Sequence, residues 1–179
     1  MAPHPTRQVV IYGPPAAGKL TVARALASRY SLGLLDNHLT ADVALRLFPL
    51  GTAEFESLVD ELREVLFRAA AGAARSTVAT FVYAQAVDGQ YVERLRQLAD
   101  RHGVELACVQ LRPPPEVLEA RVVCESRAGT GKIRDLTMLR NLLERWDLYV
   151  PISADDLSID NSALTPDEVA EVIASHLGL

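Results

Sequence analysis

The sequence predicts an α/β domain of three layers, with helices on both faces of a five-stranded parallel sheet. Three observations carry this. Short apolar runs at residues 9–12, 32–35, 77–83, 104–111 and 157–159 alternate with stretches of helical period. The first run enters a helix through the spacing G-x-x-x-x-G-K, with Gly13, Gly18 and Lys19 in place. Finally, 179 residues with 49% apolar content suit one domain over residues 1–179, and no repeat, low-complexity stretch or linker divides them.

Each element has a local reason. Residues 9–12 read as a buried parallel strand. The helix after the loop puts Val22, Ala23, Leu26 and Ala27 on one face and ends near Ser31. The second strand, 32–35, ends in Asp36-Asn37-His38, at the sheet edge where ligands of open parallel sheets bind. Thr40 is placed to cap a helix over 41–48 that Pro49 and Gly51 would stop. Thr52 caps the longest helix, with Phe55, Leu58, Val59, Leu62, Val65, Leu66 and Ala69 as its buried stripe. Its other face, Glu56, Asp60, Arg63, Glu64 and Arg68, reads as solvated. Residues 77–83 form the β-branched and aromatic third strand. Asp88 is expected to cap the next helix, which Gly103 stops. Residues 104–111 are the fourth strand, and the prolines 113–115 stiffen the way into a helix over 116–124. Residues 125–134, ESRAGTGKIR, are glycine-containing and basic, which describes a mobile loop. Asp135 caps a helix carrying Leu136, Leu139, Leu142, Leu143 and Trp146, the last read as core. After the fifth strand, Thr165-Pro166-Asp167-Glu168 is a helix start, with Val169, Val172 and Ile173 buried beyond it.

Composition excludes several classes. A net charge of −5 argues against nonspecific nucleic-acid binding. Cys108 and Cys124 form neither C-x-x-C nor a cluster with His, so neither zinc nor a disulfide framework is expected. No run reaches membrane-spanning length and residues 1–8 lack an apolar signal core, so a cytoplasmic protein is expected. Only two lysines, Lys19 and Lys132, stand against sixteen arginines, and both fall where phosphate contacts are expected.

The strand–loop–helix context makes Gly13 to Thr21 a phosphate-binding P-loop. Its glycines let backbone N–H groups curl inward at an anion, and the following helix adds its positive end. Lys19 supplies a full charge for the outer phosphates. The competing reading is a strand-to-helix turn that happens to hold Gly and Lys. The residue after the lysine is Leu20, which cannot ligate a metal, and the hydroxyl falls one place later on Thr21.

Together GPPAAGKLT, LLDNH, LEARV with SRAGTGK, and LSIDNSALTPDEVA resemble the shikimate-kinase-like and adenylate-kinase-like P-loop kinases, which include chloramphenicol phosphotransferase. The chain is most similar to bacterial members with GPPAxGKLTVA and NHLT labelled AAA-family ATPases or shikimate kinases. The resemblance implies a P-loop NTPase fold with strand order 2-3-1-4-5, acceptor-binding helices over about 37–75, and a lid over about 125–134. It implies an ATP-dependent kinase that transfers a phosphoryl group to a small-molecule acceptor, with ATP and Mg2+ as cofactors. The GKLT ending looks like the GKGT of adenylate kinases, so magnesium would be held mainly through water and the nucleotide's phosphates. Where shikimate kinases carry D-x-D, this chain has Asp36-Asn37-His38, and Tyr83-Ala84-Gln85 stands where they carry a Gly-Gly pair. Both departures point away from shikimate itself.

The residues then take expected roles. Gly13, Pro14, Pro15, Ala16, Ala17, Gly18, Lys19, Leu20 and Thr21 form the nucleotide loop. Thr21 binds phosphate or a magnesium-bound water, or else bonds its own helix backbone. Asp36 is the expected base or magnesium-water ligand and His38 the alternative base, while both could simply cap the next helix. The resemblance places Arg127 and Lys132 on the transferred phosphate when the lid closes; otherwise they belong to an exposed basic loop. It sets Arg121 against adenine or phosphate, the alternative being a surface charge, and Asn161 beside adenine. Tyr83 and Gln85 are acceptor-pocket candidates. A regulatory ATPase without phosphotransfer is the second reading, and a nucleic-acid end kinase a distant third.

Overall fold

The computed structural model describes residues 5–124 and 133–179. Its sheet runs β2-β3-β1-β4-β5, all parallel, as the resemblance implied. The strands are β1 (Arg7–Tyr12), β2 (Gly33–Leu35), β3 (Thr77–Phe81), β4 (Glu105–Leu111) and β5 (Leu157–Ile159). The helices among the described residues are α1 (Lys19–Tyr30), α2 (Asn37–Ala44), α3 (Ala53–Gly72), α4 (Gln85–His102), α5 (Pro115–Val122), α6 (Leu136–Arg145) and α7 (Pro166–Leu177).

The period of two in β1 sorts the core into two layers. Val9 and Ile11 point toward α1, α5, α6 and α7, where Leu26, Leu118, Leu139 and Ile173 close around them. Val10 and Tyr12 point the other way, onto Phe67 of α3 and Tyr91 and Leu95 of α4. A smaller cluster of Ala44, Phe55 and Val59 joins α2 to α3 beyond the sheet edge.

Local chemistry departs from the sequence reading at several ends. α2 starts four residues earlier than expected, because Asp36 rather than Thr40 is its cap: the Asp36 carboxylate accepts from His38 N at 3.0 Å. Thr40 lies inside α2 and donates to Asn37 O. α4 likewise starts before Asp88, whose carboxylate reaches back to accept from Ala84 N at 2.7 Å. β3 stops at Phe81, and Cys124 lies past the end of α5. Trp146 caps α6 beneath the Arg145 guanidinium and joins no core cluster. Thr52, Asp135 and Thr165 cap their helices as expected, the last in a full capping box.

The stripe on α3 is the most consequential difference. The buried residues are Phe55, Val59, Phe67 and Ala71, spaced by multiples of four. Val65 is 48% exposed and Leu66 38%. Arg63 falls on the buried stripe between Val59 and Phe67, with its side chain only 18% exposed. No described helix is long and apolar enough to cross a membrane.

Candidate active site

β1 delivers the chain into the loop, and the loop's curl comes from three left-handed residues: Gly13 (φ 140°), Ala16 (φ 66°) and Gly18 (φ 91°). At Gly13 a Cβ would stand 2.3 Å from the Leu111 carbonyl oxygen, so β4 leaves no room for any side chain. α1 begins with no side-chain cap and no acid in its first turn. Its first backbone bond runs from Val22 N to Gly18 O at 3.1 Å. The preceding amides and the positive end of the helix therefore face the hollow of the loop, a setting made for an anion. Lys19 arches back over the loop, its Nζ donating to Gly13 O at 2.8 Å and Pro14 O at 2.7 Å. Pro15 and Ala17 are buried in the loop and Leu20 is half-buried. Thr21 is exposed, and its hydroxyl bonds no backbone group among the described residues.

The back of the loop is braced. The Ala17 carbonyl accepts from Asn161 Nδ2 at 2.9 Å and from an Arg121 guanidinium nitrogen at 3.3 Å. A second Arg121 nitrogen donates to Asn161 O at 2.9 Å. Arg121 is thus no surface charge; it ties α5 and the turn after β5 to the loop. Asn161 is 4% exposed, and its Oδ1 has no partner among the described residues.

The second half of the site lies past β2. Asp36 Oδ1 is occupied by the His38 amide, while Oδ2 lies 3.9 Å from Arg24 of α1. Asn37 N donates to the Thr80 hydroxyl of β3 at 3.2 Å. The Asn37 side-chain oxygen accepts from Arg63, which also donates to Asp60 at 3.1 Å. The Arg63 guanidinium lies 5.2 Å from the Phe81 ring centre and 5.7 Å from that of Tyr91. Asp36, Asn37, Thr80, Arg63, Phe81 and Tyr91 line one cavity between the sheet and α3. Sequence reasoning found only Asp36 among these. Arg63 could have been found by weighing the Phe55–Val59–Arg63–Phe67–Ala71 spacing against the denser Leu/Val run beside it.

Tyr83 and Gln85 do not join this group. They line a separate, more open cleft with Gln90, Arg96 and Ile152 on the other side of α4. Tyr83 is buried edge-on against Tyr12, whose hydroxyl donates to Asp156 at 2.6 Å and accepts from Ile152 N. His38 is half-buried at the start of α2 and does not line the Asp36 cavity. Arg127 and Lys132, expected on the lid, lie outside the described residues.

Electrostatics separate the carboxylates. Burial pushes Asp88 up to about 6, with Asp60 and Glu56 adding to the rise against the opposing Ala84 amide and Arg63. Glu56 and Asp60 are also raised by burial, with Arg63 opposing. Cys108 is pushed up to about 12 by burial, which makes it an inert core thiol. Among the described residues no three His, Cys, Asp or Glu side chains gather as a metal site.

Fold and loop together define a P-loop domain with the architecture of the small P-loop kinases. The AAA domain family model matches residues 9–139, and the chain belongs to that family. No curated protein sequence matches it. Among solved structures it is similar to a sugar kinase from Janibacter, at 21% identity and TM-score 0.67, covering 97% of this chain and 95% of that one. It is also similar to a gluconokinase from Sinorhizobium meliloti, at 19% identity and TM-score 0.66, covering 98% and 93%. A shikimate kinase from Acinetobacter baumannii, solved with shikimate, matches at 19% identity and TM-score 0.62, covering 98% and 94%. At these identities the likeness is one of fold.

Proposed function

We propose that the chain is an ATP-dependent kinase that phosphorylates a hydroxyl of a small molecule. The observation that carries this reading is a P-loop and a partly buried carboxylate, Asp36, linked through Arg24 of the loop's own helix. The fold neighbours include proteins described as a sugar kinase, a gluconokinase and a shikimate kinase, which supports the reaction class.

Phosphoryl transfer demands charge neutralisation and in-line placement more than covalent chemistry. The amides at the start of α1 and the Lys19 ammonium hold the β- and γ-phosphates of ATP. The acceptor oxygen attacks the γ-phosphorus, Asp36 takes the hydroxyl proton, and the bond to the β-phosphate oxygen breaks to release ADP. Asp36 is oriented for this, because the His38 amide fixes one oxygen and leaves the other toward α1. Bound magnesium would supply further charge neutralisation on the phosphates, with Thr21 and Asp36 as the side chains able to reach its waters. Asn161 and Arg121 brace the loop from behind, beside the expected adenine position. Arg127 and Lys132 are proposed to meet the transferred phosphate.

The experiment is ATP consumption with and without a panel of hydroxylated metabolites and antibiotics. The kinase reading expects a strict acceptor requirement. Hydrolysis that needs no acceptor and rises with a protein partner would instead establish a regulatory ATPase. The chain is proposed to work in the cytoplasm without a membrane or nucleic-acid partner.

A further inference from the structure

The cavity beside Asp36 describes the compound it would take. It measures about 40 Å3, room for a few water-sized groups, so it admits the end of a molecule and not its bulk. Its only described cation, Arg63, is already engaged. One guanidinium nitrogen holds Asp60 and another holds Asn37. Asp60 also pairs with Arg94 at 3.1 Å, and Arg94 with Glu64, so two guanidinium groups stand against two carboxylates. Glu56 and Asp88 lie outside the lining and also feel Arg63, so more carboxylates than guanidinium groups surround it.

Two polar groups in the wall lack partners. Arg63 Nε is buried with none among the described residues. Tyr91 is 6% exposed, lines the cavity, and its hydroxyl bonds no described residue. A buried donor left open costs free energy unless a ligand completes it, and the Tyr91 hydroxyl stands in the same lining to bond that ligand. The Phe81 and Tyr91 rings also line the cavity and add apolar surface suited to the C–H groups of a saturated ring or chain.

Resting on the kinase reading for Asp36, we propose that this cavity takes the uncharged polyhydroxyl end of the acceptor, and that Arg63, neutralised by Asp60, selects it against carboxylates. One acceptor hydroxyl meets Asp36. A neighbouring hydroxyl accepts from Arg63 Nε and exchanges a hydrogen bond with Tyr91. A carboxylate in the same place meets a guanidinium whose charge is already compensated, next to Glu56 and Asp88, and loses water without a countercharge.

The test uses matched pairs: glucitol with gluconate, and methyl shikimate with shikimate. Binding is measured by calorimetry in the presence of a non-hydrolysable ATP analogue, and transfer by coupled ADP release. Wild-type protein is expected to favour the uncharged member of each pair by about tenfold or more, the scale of one well-placed buried polar contact. Asp60→Asn should at least halve that preference by unmasking Arg63, while retained thermal protection by the ATP analogue shows the variant folded. Tighter binding of either carboxylate by the wild type, no binding of either uncharged member, or an Asp60→Asn preference unchanged from wild type each overturns the proposal. Binding in the expected order without any phosphorylated product overturns the kinase reading and leaves the selectivity standing.

Discussion

The P-loop and the cavity beside Asp36, the proposed nucleotide and acceptor ends of one site, are built in opposite ways. The loop from Gly13 to Thr21 is contiguous, made mostly of backbone, and shaped by three left-handed residues and one close approach to β4. The cavity beside Asp36 is assembled from the turn after β2, α3, β3 and α4, and side chains make its chemistry. A backbone device tolerates one ligand chemistry, a phosphate chain. A side-chain device can be re-specified by single substitutions. The difference teaches why a fold shared with kinases named for several substrates does not by itself name a ligand for this chain.

A large effect should come from the P-loop. Lys19→Ala removes the ammonium that arches over the loop, and kcat/KM for ATP should fall by roughly 100-fold or more in a coupled ADP assay. A loss below tenfold would mean that the amides alone hold the phosphates, and would sharpen the contrast between the two ends.

Next come changes on α3, which lines the Asp36 cavity with Arg63, Leu66 and Phe67. Phe67→Ala should cost about 3 kcal/mol in a denaturant titration, because Phe67 is buried against the sheet. Val65→Ala, two residues away and half exposed, should stay within about 0.5 kcal/mol. Equal losses at the two positions would show that α3 is turned differently and would remove Arg63 from the cavity.

A smaller effect is expected at Asp88. Its folded-state value near 6 lies above the 3.8 of an ordinary aspartate, so the folded protein binds the extra proton between those values. Stability from this group is therefore greatest at low pH and declines as pH rises from about 4 to about 6. Asp88→Asn should then raise stability at pH 7.5 by about 1 kcal/mol, after allowance for partial exposure, and add progressively less toward pH 4. A variant destabilised equally at both pH values would show that the carboxylate's bond to Ala84 N outweighs its charge.

The same contrast explains what could be read from the sequence. The loop and the caps at Thr52, Asp135 and Thr165 were legible because each depends on residues close in sequence, whereas the sheet order came only through the family resemblance. Asp36 was legible as a site candidate from its place after a strand, though its capping role moved α2 four residues earlier than Thr40 suggested. Arg63 was hidden because Leu58, Leu62, Val65 and Leu66 make a denser apolar run than the stripe that packs. Tertiary contact with Phe81 and Tyr91 decided which face of α3 turned inward. Tyr91 and Thr80 carry no motif at all, and their meeting with Asp36 is a product of topology.

The most direct measurement follows transfer of the γ-phosphoryl group from labelled ATP to an accepted hydroxyl compound, with Asp36→Asn beside the wild type and ATP affinity measured on both. The account predicts a fall of about 100-fold or more in transfer by Asp36→Asn with ATP affinity within about threefold of wild type. Transfer by Asp36→Asn at the wild-type rate, or loss of ATP binding in step with transfer, would contradict it.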